Sequence, residues 1–149
     1  HSPKLNWLLN QLPESDYERL APNLELIGLG SGKQLFQTGQ QYTDIIFPTT
    51  CTVSAQIELE QGNTTDIYLL GARGLFGTGT THRGTYFTAI VRKPGFAYRC
   101  PTEIYMREMT RGSGVMMISL LAMRIMMEEM ATNISAGHST LSGNKSPAG

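Results

Sequence analysis

The chain has 149 residues, and its 12 Lys and Arg side chains balance its 12 Asp and Glu side chains, so the formal net charge is zero. This length predicts a single domain that buries roughly 70% of its unfolded surface and needs no disulfide bond or structural metal for its stability. The balanced charge leaves no basic nucleic-acid-binding surface visible, and no stretch approaches the roughly 18 uninterrupted apolar residues that indicate a membrane-spanning helix.

The first twenty residues predict two short helices. Four leucines at helical spacing form one apolar face, which Pro13 ends. They are Leu5, Leu8, Leu9 and Leu12. Ser15 followed by Glu18 has the form of a capping box, in which the two residues satisfy backbone N–H groups at a helix start. The box predicts a second helix that runs to Leu20 and ends before Pro22.

From Leu24 the apolar period changes from helical to two, which is typical of strands. The alternation is cleanest from Val53 to Leu59, and Gln61-Gly62-Asn63 supplies a turn to the returning strand. Short strands are predicted over residues 24–29, 34–37, 45–47, 53–59, 65–70, 85–91 and 96–99. Because parallel pairing needs crossover connections of about a dozen residues, the tight glycine turns leave an antiparallel roll or barrel.

A long helix with two apolar sides is predicted towards the C-terminus. A short helix over Glu103 to Met109 precedes it, Gly112-Ser113-Gly114 separates the two, and Ser113 is the expected cap of the second. Six apolar residues repeat at spacings of four and three, as in a helix–helix contact, and are called the seam: Met116, Leu120, Met123, Met127, Met130 and Ile134. Other apolar residues point to other sides, namely Ile118, Leu121, Ala122 and Ile125. One side packs on the domain, so we expect the same helix of a second copy to cover the seam.

Four segments resemble motifs of the cyclic-nucleotide-binding domains of Crp/Fnr-type bacterial transcription regulators. They are Gly32–Gly39, Phe47–Ser54, Gly71–Gly77 and Thr88–Arg99. The resemblance implies a mainly β fold, an antiparallel β-roll or jelly roll with N-terminal helices and a long C-terminal dimerisation helix. It also implies a homodimeric, non-enzymatic sensor domain, in which a ligand inside the roll shifts the long helix.

The composition becomes polar after Ile134. Residues 1–135 are therefore expected to form the sensor and dimerisation domain, and residues 136–149 a polar tail. The resemblance puts the start of a helix-turn-helix DNA-binding domain near His138, and the tail is too short to hold one. The tail is expected to be either disordered or the beginning of that missing domain, so DNA would be contacted only through residues outside this chain.

The segment of this chain that corresponds to the family's ligand-binding cassette departs from the family pattern. Family members use a Gly-Glu pair for the ribose and an arginine before a small residue for the cyclic phosphate. Thr78 follows Gly77, and Thr88 precedes Ala89, so both charged groups are missing. Truncating one partner of a buried charge pair costs about 2–5 kcal/mol, and we therefore expect no cyclic AMP binding of the usual kind.

The degenerate cassette still offers a candidate ligand site. Its residues are Gly77, Thr78, Gly79, Thr80, Thr81, His82 and Arg83, with Thr88 and Ala89 after them. Glycines leave backbone N–H groups approachable, and His82 and Arg83 add positive charge, so a small anionic effector is the candidate ligand. The simpler alternative is a mobile surface loop whose arginine faces water.

Other functions stay open as alternatives. The first is a stand-alone interaction module that has lost its ligand, and the more distant one is a small cupin-like β-barrel enzyme. Only His1, His82 and His138 are present, so no metal site is expected, and two cysteines are too few for an iron–sulfur cluster. Haem needs one axial ligand, such as His82 or a methionine, but methionines at heptad spacing favour packing, and no cofactor is expected.

No signal peptide is visible, so we expect a cytoplasmic protein, not bound to a membrane, with Cys51 and Cys100 as reduced core thiols.

Overall fold

The structure, a computed structural model, describes residues 1–78 and 87–145, with side chains as far as Ser135 in the last helix. Two short helices precede the strands, as the sequence predicts. They are α1 (Trp7–Asn10) and α2 (Glu14–Leu20), accompanied by 3-10 turns at Pro3–Leu5 and Ala21–Asn23.

The start of α2 differs from the prediction. The helix begins at Glu14, directly after Pro13, and no side chain caps it, so the capping box from Ser15 to Glu18 is wrong. The fixed φ of Pro13 lets the chain re-enter a helix at once. Glu14 and Asp16 lie in the first turn, where negative charge complements the helix dipole.

Asn6 ties α1 to the strands. Its side-chain oxygen accepts hydrogen bonds from the backbone N–H groups of Leu8 and Leu9, at 3.0 and 3.2 Å. Its amide nitrogen donates to the carbonyls of Pro48 and Gly74, each at 2.8 Å. Asn6 is fully buried, so all of these bonds are made away from water, where an unpaired polar group would be costly.

The described strands form two antiparallel sheets, which confirms the predicted β-roll. The first has the order β1 (Glu25–Leu29), β7 (Gly95–Pro101), β3 (Asp44–Pro48). The second has the order β2 (Gln34–Phe36), β6 (Thr88–Lys93), β4 (Thr52–Glu58), β5 (Thr64–Leu70). Buried side chains of both sheets, among them Phe47 and Val53, form one core together with Ile118 of the last helix.

Two helices follow the strands, α3 (Thr102–Arg111) and α4 (Ser113–Lys145), with Gly112 between them. Ser113 is the first residue of α4 instead of its cap, so that prediction is wrong by one residue. The backbone of α4 continues past Ser135, and the expected polar tail therefore begins as an extension of the helix. The division of the chain at residue 135 stays a prediction.

The first turn of α4 lies against α2. A Cβ atom added to Gly114 would lie 2.6 Å from Cγ of Asp16, so only glycine allows this approach. Arg19 donates hydrogen bonds to Asp16 and to Glu108 of α3, both at 2.9 Å. The start of α4 thus packs against α2, and α2 is in turn bound to α3. Among the described residues, no helix is long and apolar enough to cross a membrane.

Candidate ligand cavity and exposed helix face

A cavity of about 320 Å³ lies between the β-roll and the helices α3 and α4. Tyr68 of β5 and Phe76 line its roll side, and α3 contributes Met106 and Met109. From α4 come Met116, Ser119, Leu120, Ala122, Met123 and Met126. The remaining walls are Tyr42, Leu75, Gly77, Thr78 and Phe87.

The walls are mostly apolar. The Tyr68 ring stacks on Phe76 with centroids 5.9 Å apart and meets Phe87 edge-on at 5.8 Å. Burial, with a smaller effect of Tyr42, raises the pKa of the Tyr68 phenol well above its ordinary value, so it is neutral at physiological pH. Of the lining residues in the described part of the chain, none carries a formal charge.

The structure brings part of the predicted cassette to this cavity. Gly77 and Thr78 both line it, and Gly77 has a φ of +117°. A Cβ atom at Gly77 would lie 2.7 Å from the carbonyl oxygen of Asp44, so a side chain would meet both strain and a clash. Gly79, Thr80, Thr81, His82 and Arg83 lie outside the described residues, and their predicted role stays a prediction.

The other two cassette residues lie away from the cavity. The Thr88 hydroxyl lies 3.1 Å from the Thr38 hydroxyl and accepts a hydrogen bond from the Thr38 backbone N–H at 3.2 Å, just after β2. Ala89 is fully buried and pairs with Phe36 and Ala55 in the second sheet. Neither Thr88 nor Ala89 carries a charge that could pair with a cyclic phosphate, and the expected lack of cyclic AMP binding of the usual kind stays a prediction.

The seam is an exposed apolar face of α4. Leu120, Met123 and Met127 are 59%, 51% and 59% exposed, and Met116 and Ile134 are exposed as well. Met130 is half-buried against the core. The opposite side of the helix packs on the roll through Ile118, Ala122 and Ile125, which are buried. The helix therefore has the two apolar sides that the sequence predicts, and one of them is uncovered in the single chain.

The seam and the cavity overlap. Met116, Leu120 and Met123 belong to both, whereas Met127 and Ile134 belong to the seam alone. Beneath them, the Tyr105 and Ser119 hydroxyls lie 2.6 Å apart, and Ser119 also donates to the carbonyl of Val115 at 2.8 Å. Burial raises the pKa of Tyr105 to about 12, despite the opposing effect of its bond to Ser119. This buried pair joins α3 to the part of α4 that lines the cavity.

Within the described residues, no three His, Cys, Asp or Glu side chains are grouped so as to hold a metal ion. Cys51 and Cys100 are buried and not joined to each other. Burial raises the pKa of both thiols, to about 12 for Cys100. Both cysteines are thus protonated core residues, as expected, and neither is poised as a nucleophile.

Sequence reasoning missed most of the cavity. The aromatic lining comes from Tyr42, Tyr68, Phe76 and Phe87, which lie in separate segments. The alternation of β5 already indicates that Tyr68 and Leu70 share the inward face. No comparable signal marks Met106 and Met109 as lining residues, because that depends on how α3 packs.

No protein-family model and no curated protein matches this chain. Solved structures do match. The sensor domain of the transcriptional regulator DNR from Pseudomonas aeruginosa is 15% identical, with a TM-score of 0.62, covering 86% of this chain and 85% of that one. A putative Crp/Fnr-family regulator from Eubacterium rectale is also 15% identical, with a TM-score of 0.73 and coverages of 89% and 63%.

The Catabolite Activator Protein of Thermus thermophilus is 19% identical, with a TM-score of 0.65, covering 91% of this chain and 63% of that one. The chain thus spans less than two thirds of the length of the Eubacterium and Thermus proteins. At these identities the likeness shows the fold, which is that of the cyclic-nucleotide-binding-like sensor domains of Crp/Fnr-type regulators.

Proposed function

We propose that this chain is the effector-sensing and dimerisation domain of a Crp/Fnr-type bacterial transcription regulator, acting in the cytoplasm and not as an enzyme. One observation carries the proposal: a single helix, α4, lines a cavity next to the roll and also presents an uncovered apolar seam. A domain that senses a ligand and passes the change to a partner needs both features on one element. DNA would be bound through a part of the regulator outside these residues.

The dimer is proposed from the chemistry of the seam. Exposed methionine and leucine side chains at heptad spacing are what a second helix covers, and their burial removes apolar surface from water. Apart from Arg124 and the two residues Glu128 and Glu129, residues 113–135 carry no charges to oppose a close approach. Two copies of α4 packed along the seam would bury its exposed side chains.

A sedimentation experiment tests the dimer. Met127→Glu with Ile134→Glu puts two carboxylates into the seam and leaves the cavity lining unchanged. We expect the wild type to sediment at twice the chain mass and this variant at the chain mass, because buried like charges repel and lose hydration. Leu5→Glu with Leu59→Glu adds the same charge at exposed leucines outside α4 and is expected to remain dimeric. A monomeric wild type would overturn the proposed dimer.

Titration calorimetry tests the expected loss of cyclic AMP binding. Loss of the phosphate partner weakens binding by roughly 30-fold to several thousand-fold, from the cost of a broken charge pair. We therefore expect no binding of cyclic AMP in the micromolar range. Micromolar binding would show that another cation replaces the missing arginine, and this part of the proposal would be withdrawn.

A further inference from the structure

The size of the cavity between the roll and α4 indicates a small ligand. Its volume of about 320 Å³ lies at the lower end of the roughly 300–1,000 Å³ that ligand pockets occupy. A whole helix, about 10 Å across with its side chains, is too broad to enter it. The volume therefore suits a small molecule, and a second chain packed on the seam would contact the cavity at Met116, Leu120 and Met123.

The walls indicate the chemistry of that ligand. Tyr68, Phe76 and Phe87 form an aromatic surface on the roll side, with their rings arranged stacked and edge-on. Methionines of α3 and α4 face them across the cavity. Thioether and aromatic groups attract flat apolar molecules. An anion here would lose its hydration without meeting a cation among the described lining residues.

Few polar groups are available to orient a ligand. Ser119 lines the cavity, but its hydroxyl is already engaged with Tyr105 and with the carbonyl of Val115. The other hydroxyl groups among the described lining residues are those of Tyr42, Tyr68 and Thr78. The described walls therefore favour a mostly apolar molecule with few polar groups.

From these observations we infer that the cavity binds a neutral, largely apolar small molecule of aromatic type, in place of a cyclic nucleotide. The inference rests on the proposed sensor function and names its ligand class. It differs from the anionic effector that the sequence favours through His82 and Arg83, which lie outside the described residues.

Two fluorescent probes with one skeleton separate these ligand classes. N-phenyl-1-naphthylamine is neutral, and 8-anilino-1-naphthalenesulfonate is the same molecule with a sulfonate added. We expect saturable binding of one neutral probe per chain, and at least tenfold weaker binding of the sulfonate. Equal or tighter binding of the sulfonate, or no saturable binding of the neutral probe, would overturn the inference.

Two variants locate the bound probe. Met106 is 45% exposed at the edge of the cavity and lies on α3, outside the seam. Met106→Glu is expected to weaken binding of the neutral probe at least tenfold, because it adds a carboxylate to an apolar wall. Ala122→Phe fills the cavity from α4 and is expected to abolish binding. If Ala122→Phe shows no cooperative unfolding transition, the variant is not properly folded. The titration of Met106→Glu then tests the location of the probe by itself.

Leu69→Glu is the matched control, since Leu69 is 46% exposed on β5 and does not line the cavity. It is expected to bind the neutral probe like the wild type. A probe that binds Met106→Glu and Leu69→Glu equally well lies elsewhere, and the cavity assignment then fails. Sedimentation is independent of these titrations. A dimer that binds no neutral probe contradicts only the ligand class, whereas a monomer that binds it contradicts only the proposed dimer.

Discussion

Gly114→Ala tests how the start of the long helix is fixed. Alanine ordinarily stabilises a helix over glycine by about 0.5–1 kcal/mol. Here the new Cβ would lie 2.6 Å from Cγ of Asp16, whereas carbon atoms in contact prefer about 3.5–4.0 Å. Either Asp16 or the helix must therefore move by about 1 Å.

Asp16 is not free to move. Its side chain is nearly buried and accepts a hydrogen bond from Arg19 at 2.9 Å. Arg19 is in turn bound to Glu108 of α3 at 2.9 Å. Forcing extra atoms into such a contact costs about 1–3 kcal/mol. After the helix gain is subtracted, we expect Gly114→Ala to lower the free energy of unfolding by about 1 kcal/mol, a fall in Tm of about 3 °C.

The sign should reverse when Asp16 is shortened. In an Asp16→Ala background the added methyl group has room, so Gly114→Ala should raise the free energy of unfolding by about 0.5–1 kcal/mol. Urea unfolding of the four proteins of this double-mutant cycle measures the coupling directly. Gly30→Ala, with nothing within 4 Å of the added Cβ, controls for a general effect of alanine. If Gly114→Ala stabilises both backgrounds equally, α4 does not begin against α2.

Two further predictions concern titratable groups. Burial raises the pKa of Asp66, but hydrogen bonds from Gln56, Arg92 and Ser54 outweigh it and lower the pKa below its usual value. The stabilisation from this carboxylate is thus present above about pH 4 and is lost as the pH falls through the lowered pKa. Urea unfolding should show Asp66→Asn less stable than the wild type at pH 7, and a difference that does not shrink below pH 4 would refute this. For the buried thiols of Cys51 and Cys100, we expect no reaction with Ellman's reagent in the folded state and two thiols per chain in denaturant; fast reaction without denaturant would contradict their burial.

The strands were predictable because each carries its own signal. In β4, Val53 and Ala55 are buried as the alternation requires, and Gly62 reverses the chain with a φ of +81°. The alternation is wrong for Ser54 and Gln56, which are buried as well because both donate hydrogen bonds to Asp66 at 2.8 Å. The two sides of α4 are readable for the same reason, since both follow from spacing along one helix. Local patterns of this kind depend little on the rest of the fold.

The cavity and the helix contacts were not predictable, because they depend on distant parts of the chain. Asn6 looks like any polar residue before a short helix, yet it is fully buried and bonds to Pro48 and Gly74. Gly114 looks like a helix breaker, whereas its role is to admit the carboxylate of Asp16. The cavity needs Tyr42, Tyr68 and Phe87 to converge, and no spacing in the sequence encodes that meeting.

The overlap of cavity and seam has a thermodynamic consequence. Met116, Leu120 and Met123 line the cavity and also lie on the face that a second helix would cover. A ligand and a partner helix that touch the same side chains change each other's binding free energy by the same amount, because linkage is reciprocal. Methionine suits this double role, since its flexible thioether repacks against different neighbours at low cost. Met116 and Met123, which have this double role, belong to a group of eight methionines that all lie between Met106 and Met130, on the two helices that border the cavity.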